Sequence, residues 1–286
     1  MRVLLGEGPA DLTLVRTLLV IVMPETLWTH LKTTEFASDP LGTVVILPIG
    51  STEQHGPHLP VDVDSRLATA IAGRIAKLVS ATTPILVLPT LWVSLAEHHM
   101  NFKGTLTLDF ATFKGVLSCI VGSLAKHGYS KILLLNGHGG NSAALIVIAD
   151  ELSRSLEIPL AAVTYWDAAS SDFAAILDGQ TNLRHACEAE TSMVLAIAPR
   201  LVNVCEAKRV EAPRDGLAPT GGVIRPRRIE EWSPSGVIGT PALATPEKGN
   251  LLLNAAVNAI TGRILDGSIW PSCNSDGGAR GDTKPT

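Results

Sequence analysis

Several features that define common protein classes are scarce or missing in this chain of 286 residues. Aromatic residues make up only 4% of it, too few to predict a platform on which nucleic-acid bases stack. The 23 Lys and Arg residues are outnumbered by 27 Asp and Glu residues, so the net charge is −4. An acidic balance does not suit a protein that binds a phosphate backbone. We therefore expect no nucleic-acid partner.

Cysteine and long apolar runs are also scarce. The 4 cysteines lie far apart and form no C-x-x-C pair, which excludes a disulfide framework and a zinc ribbon and suits a reducing compartment. The apolar segment at residues 12–22 contains Arg16 and is too short to cross a bilayer. We therefore expect a cytoplasmic protein without a membrane partner.

The motifs of several binding and enzyme classes are missing as well. No Gly-Lys-Ser/Thr phosphate loop and no Gly-x-Gly-x-x-Gly fingerprint follows a predicted strand. The sequence has no Gly-x-Ser-x-Gly elbow, and no cysteine lies in an obvious nucleophile motif. These absences disfavour a nucleotide-binding module and covalent catalysis by serine or cysteine.

What the chain does contain is enough apolar material for one folded domain. Hydrophobic residues make up 46% and charged residues 17% of the sequence. We assign residues 25–270 to a single domain and interpret residues 271–286 as a disordered tail. Residues 1–24 are interpreted as an N-terminal extension, with a native start near Met23 and a genuine structural element as alternatives.

Short apolar runs alternate with helical patterns along this domain. The runs at residues 43–49, 85–88, 131–135 and 160–164 are rich in Val, Ile and Leu, as is typical of strands buried on both faces of a parallel sheet. Helical patterns cover residues 65–79, 110–127, 142–156, 188–198 and 250–265. The alternation predicts an α/β fold. Residues 210–248, which hold many Pro and Gly, are interpreted as a long and partly ordered excursion.

Histidines are concentrated in short polar stretches. Those in such stretches are His55, His58, His98, His99, His138 and His185. Three stretches directly follow predicted strands, at residues 50–58, 97–99 and 136–141, and a fourth strand ends at Trp166. Because ligands bind outside the carboxyl ends of parallel strands, we expect these side chains at one edge of the sheet.

Each polar residue at this edge also has a purely structural interpretation. Asp64 suits the N-cap of the following helix, and the glycines around His138 suit a tight turn. Glu188 and Glu190 suit the first turn of a helix, where acids favour the helix dipole. Together, however, at least three histidines and three carboxylates at one edge favour a metal site. The scarcity of thiols indicates a catalytic site rather than structural zinc.

Four motifs resemble those of the creatininase (creatinine amidohydrolase) family and occur in the same order. They are residues 50–60 (GSTEQHGPHLP) with Asp64, residues 102–107 (FKGTLT), residues 136–141 (NGHGGN) and residues 185–192 (HACEAETS). The resemblance spans about residues 25–265. It implies a three-layer α/β/α sandwich with a mostly parallel sheet, a homo-oligomer that is generally a hexamer, and hydrolysis of C–N amide bonds by a two-metal centre.

The resemblance implies a ligand set for two divalent ions per chain. Glu53, His138 and a bridging Asp64 would hold one ion. His55, Asp64 and one further carboxylate would hold the other. Zn, Mn and Fe all suit ligands of this chemistry.

The further carboxylate departs from the pattern of creatininases proper, in which it lies at the position of Gly140. Glu190 is its expected replacement, because it belongs to the matching part of the fourth motif. Glu188 lies about 200° away from Glu190 around a helix, so both are not expected to face one ion.

The resemblance also assigns catalytic and substrate-binding positions. The catalytic positions are His185, which would pass a proton to the leaving nitrogen, and Trp166, which would wall the substrate pocket. A second pocket tryptophan is replaced by Thr181, and this replacement and Gly140 argue against creatinine itself. The remaining positions that would line the pocket are Glu97, His98 and Asn101. A polar loop at a subunit contact is an equal alternative for them.

We predict a metal-dependent amidohydrolase that cleaves a C–N bond in a small cyclic amide or formamide-type substrate. Peptide trimming, as in the family's mycofactocin-maturation branch, is one alternative. Removal of a formyl group from a pyrimidine nucleotide precursor is another. A non-catalytic metal-binding scaffold is the alternative from a different class.

Overall fold

The computed structural model describes residues 24–36, 40–214 and 225–270. The strands that these residues form are β1 (Val44–Ile49), β2 (Ile85–Val87), β3 (Lys131–Asn136) and β4 (Ala161–Thr164). Except for residue 24, the predicted N-terminal extension and the predicted tail lie outside the described residues.

The strands form one parallel sheet in the order β2-β1-β3-β4. Every residue of β1 is buried, as expected for a central strand with helices on both faces. The predicted strands are confirmed, each within about one residue of its observed ends, because the continuous apolar runs in the sequence are the buried strands themselves.

The α-helices of the described residues are α1 (Val63–Val79), α2 (Phe110–Lys126), α3 (Ser142–Leu156), α4 (Tyr165–Ala168), α5 (Ser170–Ile176), α6 (Glu188–Ile197), α7 (Val204–Arg209) and α8 (Pro246–Leu265). The last helix begins four residues before the predicted residue 250. Thr245 caps it by accepting a 3.2 Å hydrogen bond from Lys248 N, and Pro246 occupies the first turn. None of these helices combines the length and apolar character that crossing a membrane requires.

Alternate side chains of β1 enter two separate cores. Val44 and Ile46 pack in the cluster that contains the apolar faces of α1, α6 and α8. Val45 and Leu47 pack in the cluster formed with α2 and α3. The predicted three-layer α/β/α sandwich is therefore confirmed. Each fully buried Val, Ile or Leu in these cores contributes about 1.5–3 kcal/mol through the hydrophobic effect.

Helix α8 approaches α6 closely at Gly249. A Cβ atom at Gly249 would lie 1.9 Å from the carbonyl oxygen of Ser192, so only glycine permits this contact. Ser192 Oγ in turn accepts a 3.1 Å hydrogen bond from Thr245 N at the start of α8. This packing holds α6, and with it the carboxylates in its first turn, against the sheet.

Candidate metal centre and active site

Five side chains from distant segments meet at the carboxyl edge of the sheet. The structure brings together all of the predicted metal ligands, namely Glu53, His55, Asp64, His138 and Glu190. They come from the segment after β1, the first turn of α1, the residue pair after β3 and the first turn of α6. Each is only 1–3% exposed. That these residues bind metal remains a prediction.

The five side chains form two groups that share Asp64. In the first group, His138 Nδ1 lies 3.1 Å from Glu53 Oε2 and 3.0 Å from Asp64 Oδ2. In the second group, His55 Nε2 lies 3.3 Å from Asp64 Oδ1 and 3.6 Å from Glu190 Oε1. Each group offers three ligand atoms within 4.8 Å of one another. The two oxygens of Asp64 therefore face two different groups.

Several of these buried atoms face one another without hydrogen-bond geometry. Glu53 Oε2, His55 Nε2 and Asp64 Oδ2 have no hydrogen-bond partner, although each is fully buried. Polar atoms buried in this way are costly unless something compensates them. Their convergence, and the combination of imidazole nitrogen with carboxylate oxygen, fit a divalent ion in each group.

Backbone carbonyls orient both histidines of the two groups. His138 Nε2 lies 2.9 Å from the carbonyl oxygen of Leu95, and His55 Nδ1 lies 3.1 Å from the carbonyl oxygen of Glu53. A carbonyl accepts only from an N–H, so these contacts assign the proton on each ring. In the neutral rings, His138 Nδ1 and His55 Nε2 then carry lone pairs toward the carboxylates, as metal-binding histidines do.

The electrostatics of the centre show how strongly its carboxylates require positive charge. Burial lowers the pKa of His55, but Asp64 and Glu190 outweigh it, so the pKa lies well above its usual range. For His138, Glu53 and Asp64 likewise overcome burial and raise the pKa. Burial raises the pKa of Glu53. A cation placed among these groups would satisfy the same requirement.

His185 lies beside the centre and is held by the backbone. Its Nε2 atom lies 2.8 Å from the carbonyl oxygen of Gln54, so this nitrogen carries the proton in the neutral ring. Its Nδ1 atom faces Glu53 Oε1 at 3.6 Å. Burial and the neighbouring His55 lower the pKa of His185 well below its usual range. The ring is thus a neutral base with its lone pair directed at the centre.

The same position gives His185 a second possible role. Glu53, His55 and His185 form a third group of atoms close enough to hold one ion. The predicted catalytic role and a ligand role therefore both fit its geometry, and they differ in whether metal is retained when the side chain is removed.

Two residues at the centre were given no role by the sequence reasoning. Gln54 Nε2 donates to His99 Nδ1 and to the carbonyl oxygen of Gly236, each at 3.0 Å. This leaves the His99 proton on Nε2, which faces Glu53 Oε1 at 3.3 Å. Burial, together with nearby His185, lowers the pKa of His99, so its ring is neutral. Gln54 lies within the first motif and His99 lies beside His98. Their positions in the sequence could therefore have indicated that they contact the centre.

A cavity of about 860 Å³ opens onto the centre. Trp166, Thr181 and His98 line it, as expected from their positions in the sequence. Trp232 also lines it, and the sequence reasoning missed this residue because it lies in the Pro- and Gly-rich excursion. Thr181 occupies the position of the expected second pocket tryptophan, and Trp232, from another segment, provides an aromatic side chain in the same cavity.

A second cavity of about 790 Å³ adjoins the first and shares His98, Gly140 and Arg227 with it. Glu97 lines only this second cavity. Asn101, a predicted substrate-binding residue, lines neither of the two. Instead it accepts a 3.0 Å hydrogen bond from Arg228 and donates one to Glu230, which anchors the segment that carries Arg227.

Gly140 lies where no side chain fits. A Cβ atom there would lie 2.4 Å from His138 Nε2 and 2.5 Å from the carbonyl oxygen of Leu95, the two atoms of the hydrogen bond that orients His138. A carboxylate side chain at this position would require a different local backbone. Glu190, in the first turn of α6, reaches the centre instead.

Glu188 and Glu190 have separate environments, as their angular separation predicts. Glu188 accepts hydrogen bonds from Asp178 N, Gly179 N and Lys248 Nζ, and it lies outside all three candidate ligand groups. Glu190 faces His55. Of the two acids, only Glu190 reaches the centre.

Comparison with known proteins identifies relatives across most of the chain. The family model described as "Creatininase: Creatinine amidohydrolase" matches residues 29–264. The creatinine amidohydrolase of Pseudomonas putida is 30% identical over 240 residues, which cover 78% of this chain and 89% of that protein. The mycofactocin precursor peptide peptidase of Mycolicibacterium smegmatis is 32% identical over 228 residues, which cover 77% of this chain and 84% of that protein.

Solved structures agree with the sequence relatives. A creatininase variant described as "Zn-Zn type" superposes with a TM-score of 0.74 at 26% identity, covering 87% of this chain and 100% of the other. The relatives found by sequence are hydrolases, including enzymes that act on C–N bonds. The length of the family-model match and these relatives show that the chain belongs to the creatininase family.

Proposed function

We propose that this chain is a metal-dependent amidohydrolase that cleaves a C–N amide bond in a small cyclic amide or formamide-type substrate. Membership of the creatininase family and the hydrolase relatives support the reaction class. The single observation that supports a binuclear centre is the position of Asp64. Its Oδ1 atom faces His55 and its Oδ2 atom faces His138, so one carboxylate can bridge two sites.

The five ligands would divide between two ions. Glu53 and His138 would hold one, His55 and Glu190 the other, and Asp64 both. Two divalent ions, when bound, would lower the pKa of a coordinated water and polarise the substrate carbonyl. Solved creatininases are described as zinc and manganese forms, which supports these two metals as candidates for this chain.

His185 would handle the proton of the reaction. Its Nδ1 lone pair is directed at the centre, while its Nε2 proton is engaged by the Gln54 carbonyl. Nδ1 is therefore the atom that would accept a proton from the attacking water and donate it to the departing nitrogen. The lowered pKa of His185, caused mainly by burial, keeps the ring neutral and ready to accept that proton.

The cavity would hold and orient the amide. Trp166, which was predicted as a catalytic position together with His185, would line the pocket. It would not exchange protons, because an indole N–H only donates a hydrogen bond. Trp232 would face the substrate as a second aromatic wall. Replacement of the expected pocket tryptophan by Thr181 supports a substrate other than creatinine.

Peptide trimming is the second candidate function. Mycofactocin precursor peptide peptidases are among the relatives, at 30–32% identity over 77% of this chain. The two adjoining cavities, at about 860 and 790 Å³, provide more room than a small ring needs. Product analysis with a short peptide and with a small cyclic amide distinguishes the two functions.

We further propose that residues 25–270 act as one domain, in the cytoplasm, and as a homo-oligomer. Family resemblance supports a hexamer. The absence of a C-x-x-C pair and the wide spacing of the cysteines support a reducing compartment. Sedimentation analysis of the purified protein measures the oligomeric state.

Elemental mass spectrometry on the reconstituted protein, followed by an amide-substrate screen, tests the proposed function. We expect close to two equivalents of Zn, Mn or Fe per chain. His138→Ala should lose metal and activity together, and His185→Ala should lose activity but keep the metal. His127→Ala, which changes an exposed histidine at the end of α2, is the matched control.

Three results would change the proposal. No metal after reconstitution with excess ion would overturn the metal-dependent hydrolase and favour a non-catalytic scaffold that binds no metal. One equivalent would mean that Glu190 does not complete the second site. Loss of metal from His185→Ala would make His185 a ligand instead of the proton carrier.

A further inference from the structure

Arg227 lies at the junction of the two cavities. It lines both the 860 Å³ cavity at the metal centre and the adjoining 790 Å³ cavity. His98 and Gly140 are shared in the same way, so the junction lies beside His138. A molecule that extends from the centre into the second cavity would lie beside Arg227, because this residue lines both.

The residues that flank Arg227 are fixed by contacts, whereas no described residue pairs with its charge. Ile229 is buried, and Arg228 bonds to Asn101 through its side chain and to Glu231 through its backbone N–H. Arg227 itself makes no ion pair or hydrogen bond with any residue that the structure describes, although it is half-buried. An arginine restrained in a cavity with its five donors free is suited to bind a carboxylate or phosphate in a bidentate manner.

The acids that the structure describes near this junction form no ion pair with Arg227. Asp109 caps α2 by accepting from Thr112 N, and Glu231 accepts from Arg225 and from the backbone of Arg228. Glu97 is the remaining acid that lines the second cavity, and it is exposed. In the first cavity the lining carboxylates are Glu53, Asp64 and Glu190, which two divalent ions would more than neutralise.

We infer that the substrate is an amide with an anionic substituent, a carboxylate or a phosphate, that Arg227 binds while the scissile bond lies at the metal centre. This inference rests on the proposed function, because it places the scissile bond at that centre. It adds the class of substrate, since Trp166 and Trp232 would flank the amide and Arg227 would select its charged end.

Binding measurements on the metal-reconstituted protein test this inference. The probes are N-formylglycine, neutral N-formylglycinamide and N-formylaminoethyl phosphate, each titrated by calorimetry and then assayed for turnover. The wild type should bind one anionic probe about 10- to 100-fold more tightly than the neutral one, as expected for a charged hydrogen bond. Whether carboxylate or phosphate gives the larger preference identifies the substituent.

The variants separate Arg227 from the metal ions as the anion binder. Arg227→Gln should reduce the preference to about twofold or less, and Arg227→Lys should restore only part of it, because lysine lacks the bidentate fork. Arg200→Gln is the matched control, because Arg200 carries the same charge, is exposed and lines neither cavity. It should keep the full preference.

The outcomes distinguish failure of this inference from failure of the proposed function. Equal affinity for all three probes, including no binding of any, would overturn the inference. So would a preference that persists in Arg227→Gln, because the ions or Arg184, which also lines the first cavity, would then bind the anion. Turnover without the preference leaves the proposed function standing. The preference without turnover of any amide would show that Arg227 binds anions, but it would contradict the amidohydrolase and with it the assignment of an amide substrate.

Discussion

Lys248 Nζ lies 2.6 Å from Glu188 Oε1 and 2.7 Å from Asp178 Oδ2, which ties the start of α8 to the first turn of α6. Glu188 is fully buried, so this ammonium compensates a charge that water cannot reach. The contact explains why two acids separated by one residue differ in role. Glu188 has a structural role as the partner of Lys248. Glu190 instead faces His55.

The first prediction concerns metal content. Glu190→Gln should reduce the bound metal from about two equivalents to about one, because the His55 group would lose its second carboxylate. Glu188→Gln should retain both equivalents, since Glu188 lies outside the ligand groups. Elemental mass spectrometry of the two folded variants makes the comparison. Equal metal content in both would refute the assignment of Glu190.

The second prediction concerns stability. Lys248→Met should lower the free energy of unfolding by about 3 kcal/mol, because it leaves the Glu188 carboxylate buried without a counter-charge. Urea denaturation measures the change. Lys208→Met removes an exposed lysine from α7 and should change stability by less than about 0.5 kcal/mol. A similar loss in both variants would show that the ion pair contributes nothing specific.

The same ion pair predicts a dependence on pH. Burial lowers the pKa of Lys248, but hydrogen bonds to Asp178 and Glu188 outweigh it and raise the pKa above its ordinary value of 10.5. A raised lysine pKa stabilises the fold below the unfolded-state pKa, and this contribution is lost as the pH rises through the folded-state pKa. Wild-type stability should therefore fall more steeply than that of Lys248→Met above pH 10.5. Parallel curves would contradict the prediction.

The third prediction concerns Gly140. Gly140→Ala should weaken metal binding by about 10- to 100-fold, because its Cβ would displace the His138–Leu95 hydrogen bond that orients a ligand. Gly139→Ala is the matched control, since a Cβ there would meet nothing within 4 Å. Competition with a chromogenic chelator measures both affinities. Unchanged affinity in Gly140→Ala would show that the hydrogen bond does not position His138.

The fourth prediction compares two glycines of α8. Gly249→Ala should destabilise the protein by about 1–3 kcal/mol, because the new methyl group would collide with the backbone of Ser192. Gly262→Ala should stabilise it by up to about 1 kcal/mol, because that site is exposed and open and alanine favours a helix. Thermal denaturation followed by circular dichroism should give shifts of opposite sign. Shifts of the same sign would mean that the approach of α8 to α6 is looser than described.

Much of the fold and of the candidate centre was predictable because it depends on local patterns. Strands buried on both faces read as unbroken apolar runs, and β1 and β3 begin and end close to the predicted residues. Parallel strands bring their carboxyl ends to one edge, so Glu53 and His138 were expected to meet. The ligand and catalytic roles of these residues were predicted from the family motifs, because periodicity alone does not indicate them.

Other features arise only when distant segments pack together. Asn101 was expected to line the pocket. Instead, its side chain forms hydrogen bonds with Arg228 and Glu230. Trp232 and Arg227 reach the cavity from a segment whose prolines and glycines carry no periodic signal.

The sequence by itself determined the layers of the fold, the edge at which the polar residues gather and the family to which the chain belongs. Only the tertiary structure decided which ring nitrogen of His138 faces the carboxylates, because the carbonyl oxygen of Leu95, 43 residues away in sequence, binds the other nitrogen. It also decided that Glu190 rather than Glu188 reaches the centre, because Lys248, sixty residues farther along, binds the latter. Local preference sets elements, and long-range packing sets the orientation of the groups that do chemistry.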